Sequence, residues 1–322
     1  MKIVFSKLPK SGWWSQGIPK YRDNPAMVEG AIPNINLLKK ERKSLISSVM
    51  NAGNEIIELD FPNELDQENP KHDFIFIRDP FISNQNGLVV ILRAGEPQRR
   101  IENKVVKKCL EPLGLKMMDM PDRSGMRADG GEFYFCKKNN VLFSGLQRNT
   151  IQGVHFVADA LNIGKLIILE GKGYHLDTFF TPVLDENRNI SALVACTSVM
   201  TLESKKRLFQ FADDENIPIF EIPPKDAIGT GKKVGTFAAN ALPLPGSLIR
   251  PSQFSNPRID EKFSDKIGYG TMKFFKEHEK KNIDIFKEND LKSFLFNPYA
   301  ADFEANEEHI GFLEKKLSET LI

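Results

Sequence analysis

Cysteine is scarce in this sequence. Its 322 residues carry three, Cys109, Cys136 and Cys196, too few and too scattered for a disulfide framework or a zinc site. Such usage fits a reducing, cytoplasmic setting. Charge of one sign is lacking too: the net charge is +1, so no nucleic acid and no acidic membrane surface is indicated as a partner. No apolar run approaches the roughly 20 residues that span a bilayer. The opening Met1-Lys-Ile-Val-Phe-Ser-Lys-Leu-Pro9 has a short apolar stretch interrupted at Lys7, and it reads as a first strand rather than a signal peptide. What remains is an ordinary globular composition, 41% hydrophobic and 27% charged, in a chain long enough to bury a core.

One organisation recurs along the chain: a helical stretch, a short strand, a loop with a polar residue, then a strand pair. Helical spacing over 36–52 leads into a strand at 55–60 and paired strands at 74–82 and 87–92, with a turn at Asn84-Gln-Asn-Gly87. The pattern returns with helices near 98–113, 149–162, 201–216 and 258–280, each followed by a strand. The cycles are roughly 45 to 60 residues long and share pattern rather than identity. Two arrangements accommodate them: about five ββαβ modules closed around an axis, or an open mixed α/β sheet.

Three segments put a carboxylate or an imidazole at the edge of an apolar, β-prone run: Asp73-Phe-Ile-Phe-Ile-Arg-Asp79, Arg127-Ala-Asp-Gly-Gly-Glu132 and Tyr174-His-Leu-Asp-Thr178. Such a set suits chemistry on a cation, with carboxylates to hold the charge and a His to move protons. A covalent route also needs a Cys or Ser nucleophile. Each residue has a plainer reading. Asp79 before Pro80 and Asp129 before two glycines are turn formers. His175 could be a satisfied core histidine, and Arg99 part of a solvated helix start. Arg148 near a helix N-terminus opposes the helix dipole, which hints at another use. Trp13-Trp14 could form a lid or simply pack, and Asn240 could brace a strand end.

The motifs Asp73…Asp79, Ile91-Leu-Arg-Ala-Gly-Glu-Pro-Gln-Arg-Arg100, Asp129-Gly-Gly131, Phe143-Ser-Gly-Leu-Gln-Arg-Asn149, His175-Leu-Asp177 and Phe237-Ala-Ala-Asn-Ala-Leu-Pro243 stand in an informative order. In that order and spacing the chain resembles the pentein (guanidino-group-modifying) superfamily, most closely dimethylarginine dimethylaminohydrolase and its amidinotransferase relatives. The resemblance implies a five-bladed α/β propeller as a single domain over 1–290; beyond it, 291–322 is a divergent extension whose amphipathic residues read as helical at its end. It implies an arginine-like guanidino acid as small-molecule partner, citrulline and an amine as products, and neither cofactor nor metal. In the site it implies His175 as general acid/base, Asp129 as the carboxylate that positions it or the substrate, Asp73 and Asp79 on the cationic groups, and Arg99 and Arg148 on the substrate carboxylate. The amphipathic tail (Ile310, Phe312, Leu313, Leu317) would pack on the body or on a second subunit, making a homodimer possible.

The chain departs from that family in two places. Position 78 is Arg where the hydrolases carry an acid, and it is expected to pair with Asp79 or Asp129. The family's nucleophilic Cys stands near the C-terminus, whereas this chain has no Cys after Cys196. Further readings therefore stand beside the hydrolase: a guanidino-acid binding or sensing protein without catalysis, an amidinotransferase, and an amidino- or amine-handling enzyme using a water nucleophile.

Overall fold

The computed structural model describes residues 1–14, 34–230, 233–250 and 255. The helix expected near 258–280 and the extension from 291 onward lie outside the described residues.

β1 (Lys2–Ser6) runs parallel to β2 (Glu55–Leu59), and α1 (Ile35–Asn51) connects them. A strand returning parallel to its predecessor needs such a crossover helix. Three complete ββαβ modules follow. The first is β3 (Phe81–Ser83) antiparallel to β4 (Leu88–Ile91), then α2 (Arg100–Leu110), then β5 (Lys116–Asp119) parallel to β4. The second is β6 (Phe133–Cys136), β7 (Val141–Ser144), α3 (Ile151–Leu161) and β8 (Lys165–Ile168). The third is β9 (Phe180–Leu184), β10 (Ile190–Ala195), α4 (Leu202–Asp214) and β11 (Ile219–Glu221). Two hairpins close the described chain: β12 (Gly229–Thr230) with β13 (Lys233–Val234), and β14 (Leu242–Leu244) with β15 (Ser247–Ile249).

Local chemistry explains these boundaries. Thr150 and Thr201 cap α3 and α4, each hydroxyl accepting from the backbone N–H three residues on, at 3.2 Å. Asn162 ends α3 in the left-handed conformation at φ 54°. Val154, Val157, Ala158 and Leu161 are buried at helical spacing along one face of α3. Aromatic rings join the second and third modules: Phe143 lies 4.8 Å from Phe180 and 5.3 Å from Phe211, centroid to centroid. Each such buried ring is worth about 2–3 kcal/mol over an exposed one.

One expectation is revised and one open choice is decided. Residues 74–79 are not strand: His72–Ile75 is a 3-10 turn, and the strand begins at Phe81. The run Phe74-Ile-Phe-Ile77 is buried in full, so it shows none of the one-sided exposure that would select a sheet. The Trp13-Trp14 pair is core rather than lid. The rings stack 4.2 Å apart and meet Phe76 edge-on. His72 holds the segment, its Nδ1 accepting from Trp14 N–H at 2.8 Å and its carbonyl from Trp13 Nε1 at 3.2 Å.

In all three modules a 3-10 turn immediately precedes the first strand or stands a few residues before it: His72–Ile75, Gly130–Glu132 and Leu176–Thr178. Asp73 lies in the first turn and Asp79 four residues beyond it, while Asp129 and His175 immediately precede the other two. That repetition is what gathers them.

Candidate active site

Asp79, Asp129 and His175 come together, from three different modules, around Gly131. Asp79 Oδ1 accepts the Gly131 backbone N–H at 3.1 Å, and the Asp79 carbonyl accepts that of Gly130 at 2.9 Å. A Cβ on Gly131 would stand 2.5 Å from His175 Nδ1 and 3.1 Å from Asp79 Oδ1. The imidazole and the carboxylate therefore flank a single α-carbon, and only glycine leaves room between them.

His175 Nε2 lies 3.6 Å from Asp129 Oδ2, close enough for charge to act but too long for a hydrogen bond. The other Asp129 oxygen accepts the Gly95 N–H at 2.9 Å, and Asp129 N–H donates to Asn149 Oδ1 at 2.8 Å. This second bond ties Asp129 to the loop before α3. Burial disfavours the imidazolium, but the Asp129 and Asp79 carboxylates outweigh it, so the His175 pKa is raised above its ordinary value. Burial also works against the Asp79 carboxylate, yet Arg99 and His175 hold its pKa below the usual range.

Arg99 is placed otherwise than expected. Its Nη1 donates to Asp79 Oδ2 at 2.7 Å, its Nε and Nη2 grip Glu102 at 2.9–3.2 Å, and Nη2 also donates to the Asp73 carbonyl at 3.1 Å. A fork committed to three internal acceptors is a brace for Asp79, not a receptor for a substrate carboxylate. Glu102, buried beside it, has its pKa pushed up to about 8 by burial against the pull of Arg99. Asp73 is buried, and its charge acts on both Arg99 and Glu102.

Arg148 is buried with Nη1 3.9 Å from Asp129 Oδ2 and its guanidinium 6.0 Å from the Tyr174 ring. Arg78 pairs with neither Asp79 nor Asp129. Its Nη2 donates to the Phe133 carbonyl at 3.0 Å, its guanidinium lies 4.4 Å over the Tyr134 ring, and Nη1 stands 3.8 Å from Asp177 Oδ2.

Two carboxylates were not singled out from the sequence. Glu132 is fully buried, its oxygens accepting the backbone N–H groups of Arg148 at 2.6 Å and Leu176 at 2.8 Å. It thus fastens both the Arg148 loop and the turn after His175, and burial pushes its pKa up to about 7. Asp177 is buried without a hydrogen-bond partner on either oxygen among the described residues, and burial pushes its pKa up to about 6. Both follow a named motif residue by two or three positions. Both stand inside the 3-10 turns that Asp129 and His175 precede, a placement hidden while the segments read as strands.

The cysteines stand apart from this cluster. Cys136 and Cys196 pack in the hydrophobic core of the second and third modules, and Cys109 is half-buried in α2. Burial raises the pKa of all three thiols, so none is an activated thiolate. Among the described residues no group of His, Cys, Asp and Glu is arranged to hold a metal ion, and no helix is long and apolar enough to cross a membrane.

No protein-family model matches the sequence. Among solved structures, the chain is similar to dimethylarginine dimethylaminohydrolase from Pseudomonas aeruginosa, a cysteine-to-serine variant complexed with citrulline. The two are 18% identical over 82% of this chain and 88% of that one, with a TM-score of 0.58. It is similar at a TM-score of 0.63 to the N-terminal domain of the cyanobacterial arginine dihydrolase ArgZ bound to substrate, at 17% identity over 82% and 88% of the two chains. AgrE, in a complex with ornithine and NAD+, gives 0.63 at 15% identity, and there the match covers 82% of this chain but only 35% of the longer one. The chain therefore has the α/β fold of these pentein and amidinotransferase-type enzymes, the fold that its motifs resemble.

Proposed function

We propose that the cluster around Gly131 binds the guanidinium of an arginine-like amino acid and hydrolyses one of its C–N bonds, giving citrulline and an amine. The observation that carries this reading is the flanking of Gly131 by Asp79 and His175, with Asp129 behind the imidazole. Asp79 and Asp177 are acceptors suited to a planar cation rich in N–H donors. Asp73, near Arg99, adds negative charge to the same wall. Arg148, not Arg99, is the cation that would meet the substrate carboxylate. In the neighbouring folds, citrulline is bound to the dimethylargininase and substrate to the arginine dihydrolase, which supports a ligand of this class.

The three cysteines present offer no activated thiolate, so this reading routes the reaction through water. His175 takes a proton from water as its oxygen bonds the guanidinium carbon. It returns that proton to the departing nitrogen as the C–N bond breaks, and the remaining hydroxyl proton passes to the released amine, leaving a neutral urea and an ammonium. Its raised pKa suits the acid half of this exchange. The three ββαβ modules, with β1-α1-β2 and the β14-β15 hairpin as parts of two more, are read as blades of a five-bladed propeller forming one domain over 1–290. A second reading, guanidino-acid binding without turnover, is favoured by one fact: no cysteine follows Cys196 in the sequence.

Calorimetry with arginine and its methylated forms, paired with a citrulline assay, separates these readings. Binding with turnover that survives replacement of all three cysteines and is abolished by His175→Ala supports the hydrolase. Binding without citrulline supports the sensor. No binding of any guanidino acid would sink both.

A further inference from the structure

The segment Phe237–Ala241 meets the site through the contact of Phe237 with Tyr174 and has no role in the reaction described above. Phe237 holds a left-handed backbone conformation at φ 52°, costly for an aromatic residue, and its ring meets Tyr174, the neighbour of His175, edge-on at 6.2 Å. The Asn240 N–H donates to the Phe237 carbonyl at 2.8 Å, closing a tight turn. The Ala241 carbonyl accepts the Tyr134 hydroxyl at 3.3 Å, and the same Tyr134 ring carries Arg78. Asn240 is thus pinned on both sides and fully buried, and Tyr134, which bonds Ala241, carries the Arg78 guanidinium that stands 3.8 Å from Asp177 Oδ2.

Three buried oxygens here have no hydrogen-bond partner among the described residues: both of Asp177 and Oδ1 of Asn240. The nearby cation is Arg78, which at 3.8 Å balances charge without donating a hydrogen bond. Buried acceptors left open in this way call for a donor. Resting on the guanidino-acid reading above, we propose that Asn240 is a specificity-determining residue whose Oδ1, beside Asp177, accepts a terminal N–H of the guanidinium and so selects unmethylated over dimethylated guanidino groups. The chemistry is direct. A free guanidinium on an alkyl chain has five N–H donors. Dimethylation of one terminal nitrogen removes both of its N–H groups, leaving the Asn240 oxygen buried and unpaired. Sites built to hydrogen-bond a ligand reject analogues lacking the donor far more sharply than apolar pockets reject an added methyl group.

The test is calorimetric titration of the full chain with L-arginine and with asymmetric Nω,Nω-dimethyl-L-arginine. The wild type should bind arginine about tenfold or more tightly than the dimethylated form. Asn240→Leu, close in size but without an acceptor, should weaken arginine by about tenfold and leave the dimethylated ligand nearly unchanged, collapsing the preference. Asn240→Ala should do the same. Equal weakening of both ligands would mean a merely structural Asn240 and would overturn the proposal. If neither variant folds, the wild-type comparison still decides, because equal affinities for the two ligands overturn it. A wild type that binds arginine with no preference defeats only the role of Asn240, whereas one that binds neither ligand defeats the guanidino-acid reading itself.

Discussion

Arg99 and Asp79 form a buried ion pair, Nη1 to Oδ2 at 2.7 Å, in which the arginine aims the carboxylate at Gly131 and His175 rather than reaching for a ligand. Its other nitrogens are spent on Glu102 and the Asp73 carbonyl, so removing Arg99 strands several acceptors at once.

Arg99→Ala should therefore destabilise the fold by about 3–5 kcal/mol, the cost of leaving buried charge unpaired. Arg99→Lys should recover only part, because an ammonium cannot serve Asp79 and Glu102 with the geometry of a fork. Chemical denaturation of the variants measures this. A loss under 1 kcal/mol for Arg99→Ala would show that the pair is not structural.

Neighbouring glycines should separate site from scaffold. A Cβ on Gly131 meets the His175 ring at 2.5 Å, a side chain that can turn away. A Cβ on Gly130 meets the Arg78 carbonyl at 1.9 Å, backbone that cannot. Gly131→Ala should keep most of the stability but cost on the order of a hundredfold in ligand affinity or turnover by displacing the imidazole. Gly130→Ala should cost about 3 kcal/mol of stability through overpacking. Thermal melts beside ligand titrations give the comparison, and identical behaviour of the two variants would refute it.

Stability should fall as pH rises across the neutral range. Glu132 and Asp177 have folded pKa values of about 7 and 6, and burial raises that of Glu102 too, all above their unfolded values near 4. Their stabilisation is present in full below about pH 4 and is lost as pH rises through those folded values, because the unfolded chain releases protons first. Asp79 works the other way: its depressed pKa adds stability that disappears on acidification. The melting temperature should drop from pH 5 to pH 8, with a shallower drop in Glu132→Gln, which has no proton to release. Parallel slopes in the two proteins would contradict the assignment to Glu132.

Asp129→Asn should lower the His175 pKa, since a neutral amide replaces the leading contributor that favours the imidazolium. Histidine NMR titration reads this shift directly. An unchanged titration would mean that Asp79 and Asp177 support the charge without it.

Much of this arrangement was legible in the residues. Helical spacing located α1 to α4, where one face is buried, and short β-prone apolar runs located most strands, although β7 and β9 are buried on both faces. Asp79, Asp129 and His175 stood out because each is a polar residue at the edge of an apolar run. Tertiary structure alone decided the rest. Phe74–Ile77 is buried on every side, so its periodicity said nothing about turn or strand. The roles of Arg78 and Arg99 depend on which carboxylates other modules bring within reach: Asp177 for the first, Asp79 and Glu102 for the second. Glu132 and Asp177 lie near named motif residues in sequence, yet what gives them weight is a buried environment assembled by chain segments distant in sequence. Short-range pattern sets the elements, while long-range burial and charge pairing set what each polar side chain can do.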